Sequence, residues 1–191
     1  QALAHTAAVH GAHPQLLRSV MDINRDQRLR VVQKLTEVLG GLEGRRIGIL
    51  GAAFKPHTDD LRYSPAIELA ALLCIEGAQV AVYDPVVSAD AIERSGCGAK
   101  ASANVESAAI GAQALVLATE WPEFRDLPFA RLAQLMAYPV LVDARNFLDG
   151  AVLRGAGFVY RSIGRPASDG GPLPAERDVW PSELAATVAA R

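Results

Sequence analysis

The sequence has few cysteines, little net charge and no long apolar run. Only Cys74 and Cys97 occur in 191 residues, which is typical of a protein in a reducing compartment, so we expect a cytoplasmic protein whose fold needs no disulfide. The formal net charge of −2 gives no indication of a nucleic-acid partner or an anionic membrane. No apolar segment reaches the roughly 18–20 residues that span a bilayer, so no transmembrane helix is predicted.

The sequence also lacks a dinucleotide fingerprint and an obvious nucleophile. No G-x-G-x-x-G pattern occurs, because Gly48 and Gly51 lie in and after a predicted strand without the remaining glycine. Cys74 lies in an apolar helical segment and is predicted to be a core residue. Cys97 lies between two glycines in a predicted loop. We therefore expect neither thiol to be catalytic.

Two further polar patterns are interpreted as structural. His5, His10 and His13 are separated by five and three positions, which does not place all three on one face of a helix, and no cysteine or carboxylate completes a ligand set. We predict no metal site. Asp84 follows a predicted strand, as the ribose-binding acid of a dinucleotide fold does, but without a glycine-rich loop before it we interpret it as a turn-former.

From residue 45 onward, the pattern alternates between short apolar segments and helical segments. The predicted strands are Arg46–Leu50, Gln79–Tyr83, Ala114–Ala118, Val140–Val142 and Phe158–Arg161, with a weaker sixth at Ala99–Ser102. The predicted helices cover 65–76, 88–95, 104–111, 126–136 and 149–155. This alternation predicts an α/β fold with a Rossmann-like parallel sheet and helices on both faces.

A long helix is predicted before the sheet. Apolar residues recur at helical spacing from Pro14 to about Leu39, where Gly40 and Gly41 end the pattern. Roughly 25 residues at 1.5 Å each give a rod of about 38 Å. Residues 1–13 are predicted to hold the end of a preceding helix. An ordinary amphipathic helix is one interpretation. With no N-terminal domain present, however, the second face of the helix would need covering, so we predict a homodimer through it.

The loop after the first strand concentrates opposite charges. Lys55 and Arg62 flank Asp59 and Asp60 within eight positions. Carboxylates between two cations are interpreted as holding the loop through hydrogen bonds rather than as catalytic groups, and Thr58 is expected to help. An ion pair of either cation with either aspartate stays open at this stage.

The helix after this loop has the features of an anion site. Ser64 stands at the predicted N-cap, Pro65 at the first helical position and Glu68 in the first turn. A helix N-terminus beside two cations favours an anion, and phosphate is the predicted guest. Loops after the first, fourth and fifth strands should meet at the carboxyl edge of the sheet, where such folds bind ligands.

Three ordered motifs, with an upstream helical segment, resemble those of nucleotide-sugar dehydrogenases, the UDP-glucose/GDP-mannose 6-dehydrogenase family. The resemblance runs from about residue 1 to 165. The segments are Asn24–Arg28, Phe54-Lys55-Pro56-x-Thr58-Asp59-Asp60-x-Arg62-x-Ser64-Pro65-Ala66, Ala118-Thr-Glu-Trp-Pro-Glu-Phe124 and Val142-Asp-Ala-Arg-Asn146.

The resemblance implies roles for four side chains. Phe54 and Lys55 would contact the sugar nucleotide, Arg145 would contact it from a second motif, and Arg62 would reach the nicotinamide cofactor. The resemblance assigns no catalytic residue to this chain, because the family's nucleophilic cysteine lies in a Cys-Phe-x-Lys-Asp loop just before its central helices. That loop and the NAD domain are expected upstream.

Three positions qualify this resemblance. Ala144 stands where the family usually has glycine, and Tyr63 stands where an acidic residue is common. Trp121, after Glu120, could pack a nucleobase or could cap the edge of the sheet. The departure at Ala144 bears on the Arg145 assignment and the departure at Tyr63 on loop contacts, and the predicted class is unchanged.

The implied organisation has three parts. Residues 1–43 would end a central helical dimerisation domain, 44–165 would form the C-terminal UDP-sugar-binding domain, and 166–191 would be a mobile tail. The chain begins at Gln1 without an initiator methionine, as expected for the back half of such an enzyme, which alone should not turn over.

The implied activity is the NAD-dependent oxidation of UDP-glucose to UDP-glucuronate in two hydride transfers. The Thr119–Phe124 motif resembles the UDP-glucose and GDP-mannose branches more than the UDP-N-acetylhexosamine branch. Oxidation of GDP-mannose or of a UDP-N-acetylhexosamine remains an alternative, as does a non-catalytic nucleotide-binding module. An unrelated Rossmann-like domain would require the three ordered motifs to be coincidence.

Overall fold

The computed structural model describes residues 2–11 and 13–165. Two helices come first, α1 over Ala2–Val9 and α2 over Gln15–Leu39. The predicted long helix and the end of a preceding one are therefore confirmed. The tail predicted at 166–191 lies outside the described residues.

A six-stranded parallel sheet follows, with the order β3-β2-β1-β4-β5-β6. This arrangement confirms the predicted α/β class and all six predicted strands. The strands are β1 (Arg46–Leu50), β2 (Gln79–Tyr83), β3 (Lys100–Ala101), β4 (Ala114–Leu117), β5 (Val140–Asp143) and β6 (Val159–Ser162). The remaining helices are α3 (Pro65–Ile75), α4 (Ala89–Arg94), α5 (Val105–Ala109), α6 (Phe129–Leu135) and α7 (Gly150–Gly155).

The central strands are apolar because both faces of the sheet are covered. All residues of β4 and β5 are buried, and β1 is buried from Ile47 onward. Chain order reverses between β1 and β4, which lie side by side. The loops that leave these two strands therefore diverge to opposite sides and open a crevice at their carboxyl ends.

The buried residues of helix α2 lie in its C-terminal half. They are Val31, Leu35 and Leu39. Gly40 ends the helix with a left-handed φ of 72°, and its N–H donates to the carbonyl of Thr36 at 2.9 Å. In the N-terminal half of α2, Leu16, Val20 and Ile23 are exposed.

One predicted helix is shorter in the structure. The helix predicted at 126–136 is α6 over Phe129–Leu135 only, and Asp126 instead ends a 3₁₀ helix over Pro122–Asp126. Pro128 separates them, and Leu127 before it is extended, with ψ of 147°. The residue before a proline is sterically kept out of the helical region, which explains the break.

Both cysteines are free thiols. Cys74 is half-buried on α3, where burial first and the neighbouring Cys97 second raise the pKa of its thiol. Cys97 lies in a loop as predicted and is buried. Within the described residues no helix is long and apolar enough to span a bilayer.

Candidate functional site

A cleft of about 980 Å³ opens at the carboxyl edge of the sheet. Its floor is formed by residues after β1, β4, β5 and β6, and α2 and the start of α3 form its walls. The predicted convergence of the three motif loops is confirmed. Charged or polar lining residues are Asn24, Gln27, Arg28, Lys55, Asp60, Arg62, Glu68 and Arg145; apolar or aromatic ones include Met21, Val31, Phe54, Tyr63, Leu69 and Ile163.

The loop after β1 starts with a sharp turn at Gly51. This residue has a φ of 92°, and a Cβ here would collide with Thr119 after β4. The hydroxyl of Thr119 donates to the carbonyl of Ala53 at 2.8 Å. The first motif loop is therefore packed directly against the second, and only glycine permits that approach.

Asp84, at the end of β2, holds the start of this loop. Its carboxylate is buried and accepts five hydrogen bonds. The donors are the backbone N–H groups of Ala52, Ala53, Val86 and Val87 and the indole Nε1 of Trp121, at 2.7–3.0 Å. The turn-forming role predicted for Asp84 is confirmed, and its oxygens are fully engaged.

Trp121 is part of the scaffold of the site. Its side chain is buried, its indole is held by Asp84, and the ring of His57 meets it edge-on at 5.7 Å between centroids. Of the two interpretations left open by the sequence, the structure favours a tryptophan that caps the edge of the sheet.

The charged part of the first loop is organised by Asp60. Its carboxylate accepts from the backbone N–H of Arg62 at 2.9 Å and forms a two-point ion pair with the Arg62 guanidinium. Thr58 Oγ1 accepts from the N–H of Asp60. Hydrogen bonds from Arg62 lower the pKa of Asp60 to about 2. The structural interpretation of Asp60 and Thr58 is confirmed. Of the two aspartates that the sequence left open as partners of Arg62, the structure pairs it with Asp60.

Helix α3 starts where the sequence predicts. Ser64 takes the N-cap position, Pro65 opens the helix and Glu68 lies in the first turn. The Ser64 hydroxyl makes no capping bond; it donates to the carbonyl of Ala52 at 2.5 Å and is buried. The returning loop offers a buried carbonyl that needs a donor, and Ser64 supplies it.

Arg145, after β5, is held by Glu120, after β4. Arg145 Nε and Nη2 contact the two carboxylate oxygens at 2.5 and 2.8 Å. The hydrogen bond from Arg145 lowers the pKa of Glu120. Sequence reasoning quoted both motifs without pairing these two residues, because the register between β4 and β5 is not visible in a single sequence.

Asp143 fixes the turn that presents Arg145, and sequence reasoning missed it. Its fully buried carboxylate is the acceptor for groups on three sides of the turn. The donors are the backbone N–H groups of Arg145, Phe147 and Leu148 and the hydroxyl of Tyr160, at 2.8–3.0 Å. An acidic residue that ends a buried strand is a signal for such a turn.

Lys55 differs from the other cations of the cleft. Arg28 pairs with Glu68, Arg62 with Asp60 and Arg145 with Glu120, while Lys55 makes no salt bridge within residues 2–11 and 13–165. Its side chain is exposed at the cleft beside Phe54, whose exposed fraction is 49%. The pairing of Lys55 with Asp59 or Asp60, which the sequence left open, is thus not made in the described part of the chain.

Helix α2 contributes a wall that sequence reasoning did not assign. Arg28 Nη2 lies 2.6 Å from Glu68 Oε2 in the first turn of α3. This ion pair joins the long helix to the sheet domain beside the cleft. Asn24 and Gln27 precede it on the same helix and line the cleft as well.

The chain resembles known proteins over most of its length. It is 36% identical over 169 residues to UDP-glucose 6-dehydrogenase TuaD of Bacillus subtilis (strain 168), covering 88% of this chain and 37% of that protein. It is 40% identical over 169 residues to the UDP-glucose 6-dehydrogenase of Rhizobium meliloti (strain 1021), covering 86% and 38%. The chain therefore spans just over a third of the length of these relatives.

Structural comparison agrees. A UDP-glucose dehydrogenase from the hyperthermophilic archaeon Pyrobaculum islandicum superposes with a TM-score of 0.70 at 30% identity, covering 84% of this chain and 34% of that one. The family model for the UDP binding domain of the UDP-glucose/GDP-mannose dehydrogenases matches residues 48–150, which run from within β1 to the start of α7 and contain the three motif loops. The chain therefore belongs to the UDP-glucose/GDP-mannose dehydrogenase family.

Proposed function

We propose that the cleft at the carboxyl edge of the sheet binds the UDP part of a nucleotide sugar. The observation that carries the proposal is Lys55, a cation without an internal salt bridge in the described residues, exposed in a cleft lined by the first turn of α3. An unpaired cation and a helix N-terminus together favour a phosphate group. The match to the UDP binding domain of the family supports UDP as the nucleotide.

The proposed roles follow from this geometry. Lys55 binds the diphosphate as a point charge. Phe54, half exposed beside it, offers an apolar face to the ligand. Arg145 approaches from the end of β5; its Nη1 is not used in the ion pair with Glu120 and can donate to the ligand. Arg62, with 84% of its side chain exposed, is assigned to the cofactor rather than to the sugar nucleotide.

We propose further that the protein acts in the NAD-dependent oxidation of UDP-glucose to UDP-glucuronate. The names of the relatives support UDP-glucose as the substrate. The described residues do not fit NAD as a resident cofactor. The loop after β1 has no glycine-rich cradle, and Asp84, in the position of a ribose-binding acid, has its oxygens occupied by five donors. The cofactor and the nucleophilic cysteine are therefore assigned to the part of the relatives that this chain does not cover.

The proposed organisation keeps the boundary near residue 43, between a helical segment that forms a homodimer and the α/β domain that binds the nucleotide. Leu16, Val20 and Ile23 support the dimer, because they are exposed on α2 at helical spacing. Two free thiols support a cytoplasmic location.

Titration calorimetry of this chain with UDP tests the binding proposal directly. We expect saturable binding that the Lys55→Met variant weakens roughly tenfold or more. Lys100→Met is the matched control, because Lys100 is exposed on β3 at the far edge of the sheet. No binding of UDP by the wild-type chain, or equal loss in both variants, would contradict the proposal.

The activity is tested on the full-length protein by offering UDP-glucose, GDP-mannose and UDP-N-acetylhexosamines in parallel and measuring NADH. About two NADH for each UDP-glucose, with the other donors silent, is the expected result. Turnover of another sugar nucleotide instead would mean that the substrate is that sugar nucleotide and not UDP-glucose. Silence with all of them, from folded protein that still binds UDP, would leave a binding module.

A further inference from the structure

Three non-glycine residues have left-handed backbone conformations in the described chain: His57, Tyr63 and Asn146, with φ of 63°, 57° and 53°. All three lie in the loops that follow β1 and β5. A left-handed φ is unfavourable for any residue with a Cβ, and most unfavourable for a bulky one. Such conformations concentrate at ligand sites, where the surrounding structure holds them.

Two of these conformations are accounted for inside the fold. His57 places its ring edge-on against buried Trp121. Asn146 donates from Nδ2 to the carbonyl of Ile163 at 3.0 Å, and asparagine tolerates this region well. Tyr63 differs, because its phenol makes no hydrogen bond or ring contact in the part of the chain that the structure describes. It is 70% exposed.

The backbone around Tyr63 is firmly held. The N–H of Ser64 donates to the carbonyl of Leu61 at 3.1 Å, and the Ser64 hydroxyl is anchored to Ala52. Pro65 then starts α3 two positions after Tyr63. This turn therefore fixes the position of the Tyr63 backbone, and the aromatic ring lies at the cleft, next to the helix end that favours an anion.

We infer that Tyr63 stacks on the base of the nucleotide whose diphosphate binds at the start of α3. The inference rests on the proposed function and adds a residue to its site. An exposed aromatic ring beside an anion site matches a nucleotide, in which a flat heterocycle is tethered to phosphate. Stacking uses the π-face that every base has, so Tyr63 contributes affinity without distinguishing uracil from guanine.

Three variants of the 191-residue chain test this assignment: Tyr63→Phe, Tyr63→Ala and Tyr63→Gly. Titration calorimetry with UDP should show Kd unchanged within about twofold for Phe and raised about tenfold for Ala and Gly. GDP, if it binds, should lose affinity by the same factor. Pyrophosphate, which has no base, should bind the wild-type chain and all three variants equally.

The melting temperature gives a second readout. If Tyr63 had a merely structural role, the Tyr63→Gly variant would melt below the wild-type chain. Tyr63→Gly should melt at or above the wild-type temperature, because glycine relieves the left-handed strain while the base contact is lost. Wild-type binding of UDP with no change in the Ala variant, or an equal loss for pyrophosphate, would overturn the assignment of Tyr63 alone. Failure of the wild-type chain to bind UDP would overturn the proposed function as well.

Discussion

Arg145 and Glu120 form a two-point ion pair that bridges the ends of β5 and β4, with N–O distances of 2.5 and 2.8 Å. A guanidinium held at two points keeps one orientation, so the free Nη1 of Arg145 is directed before any ligand arrives. Because Arg145 lowers the pKa of Glu120, the pair persists to a lower pH than it would with an unperturbed glutamate.

We predict that Arg145→Ala lowers the affinity for UDP roughly tenfold or more, because a directed charged donor is lost. Calorimetry with UDP measures the change. Arg131→Ala is the matched control: Arg131 also pairs with a glutamate, Glu106, but on α6 and away from the cleft. An unchanged affinity in Arg145→Ala, or the same loss in Arg131→Ala, would remove Arg145 from the binding site.

Asp60 should titrate near pH 2, well below the ordinary aspartate value of 3.8. Its pKa is depressed in the folded state, so the stabilisation from its bonds to Arg62 is complete above 3.8 and is lost as pH falls towards 2. Carbon NMR of the side-chain carboxyl group follows this titration. In Arg62→Ala the pKa should rise and stay below 3.8, because the backbone N–H at position 62 still donates.

A normal aspartate titration curve for Asp60 in the wild-type chain would contradict the ion pair. A variant in which the curve does not move would show that the backbone bond alone sets the pKa. Asp90→Ala, which removes an exposed partner of Arg94 on α4, should leave the Asp60 curve where it is.

Asp84→Asn should destabilise the fold by about 2–4 kcal/mol. The amide NH₂ group would replace one of the two carboxylate oxygens that accept from the five N–H donors, so buried donors would lose their acceptor. The free energy of unfolding in urea measures the effect. Asp90→Asn, at an exposed ion pair with Arg94, should cost less than about 0.5 kcal/mol. A loss of similar size in both variants would mean that the buried network at Asp84 is weaker than its geometry indicates.

The order of the elements could be predicted from local pattern. The apolar segment Arg46–Leu50 and the glycine pair after Leu39 give a strand and a helix end that depend on adjacent residues alone, and the structure confirms both. The later start of the predicted helix 126–136 had a local signal as well, because Leu127 precedes Pro128. The convergence of the motif loops followed from the carboxyl-edge rule for parallel sheets.

The partners of the carboxylates that organise the site could not be predicted. Asp84 accepts from Trp121, 37 positions away, and Glu120 pairs with Arg145, 25 positions away. Which loops face each other depends on the strand order and the strand register, and a single sequence fixes neither. Motif residues were therefore found, while the contacts that orient them were missed.

Among the tyrosines, Tyr160 should lose its proton at the highest pH. Burial, followed by the charge of Asp143 and the hydrogen bond to it, raises the pKa of Tyr160 to about 12. The folded-state pKa is raised, so the stabilisation is complete below the ordinary value of 10.0 and is lost as pH rises from 10.0 towards 12. Ultraviolet absorbance of the tyrosinate ion, recorded across this range, should show a deprotonation step at the high-pH end that is missing in Tyr160→Phe.

The same variant tests the turn at Asp143. Three backbone donors remain on Asp143 when the phenol is removed, so we expect Tyr160→Phe to cost about 1 kcal/mol of unfolding free energy at neutral pH. If the deprotonation step at high pH is unchanged in Tyr160→Phe, that step belongs to another tyrosine. Tyr83, whose pKa is also raised by burial, is the first to examine.

The exposed stripe on α2 gives the prediction for assembly. Leu16, Val20 and Ile23 are 77%, 46% and 57% exposed, and all three lie in the N-terminal half of α2. Apolar side chains at this spacing form one face of a helix, and a second copy related by a two-fold axis would cover it with the same face. Sedimentation should therefore give a dimer for the wild-type chain.

Val20→Glu combined with Ile23→Glu should convert the dimer to a monomer, because each glutamate would be buried without a partner in the interface. Val152→Glu is the matched control: Val152 is 55% exposed on α7, and its substitution should leave the dimer intact. Binding of UDP should survive in the monomer, since Lys55 and Arg145 lie in one chain. A monomeric wild-type chain would contradict the dimer, and loss of UDP binding on dissociation would show that the cleft needs its partner.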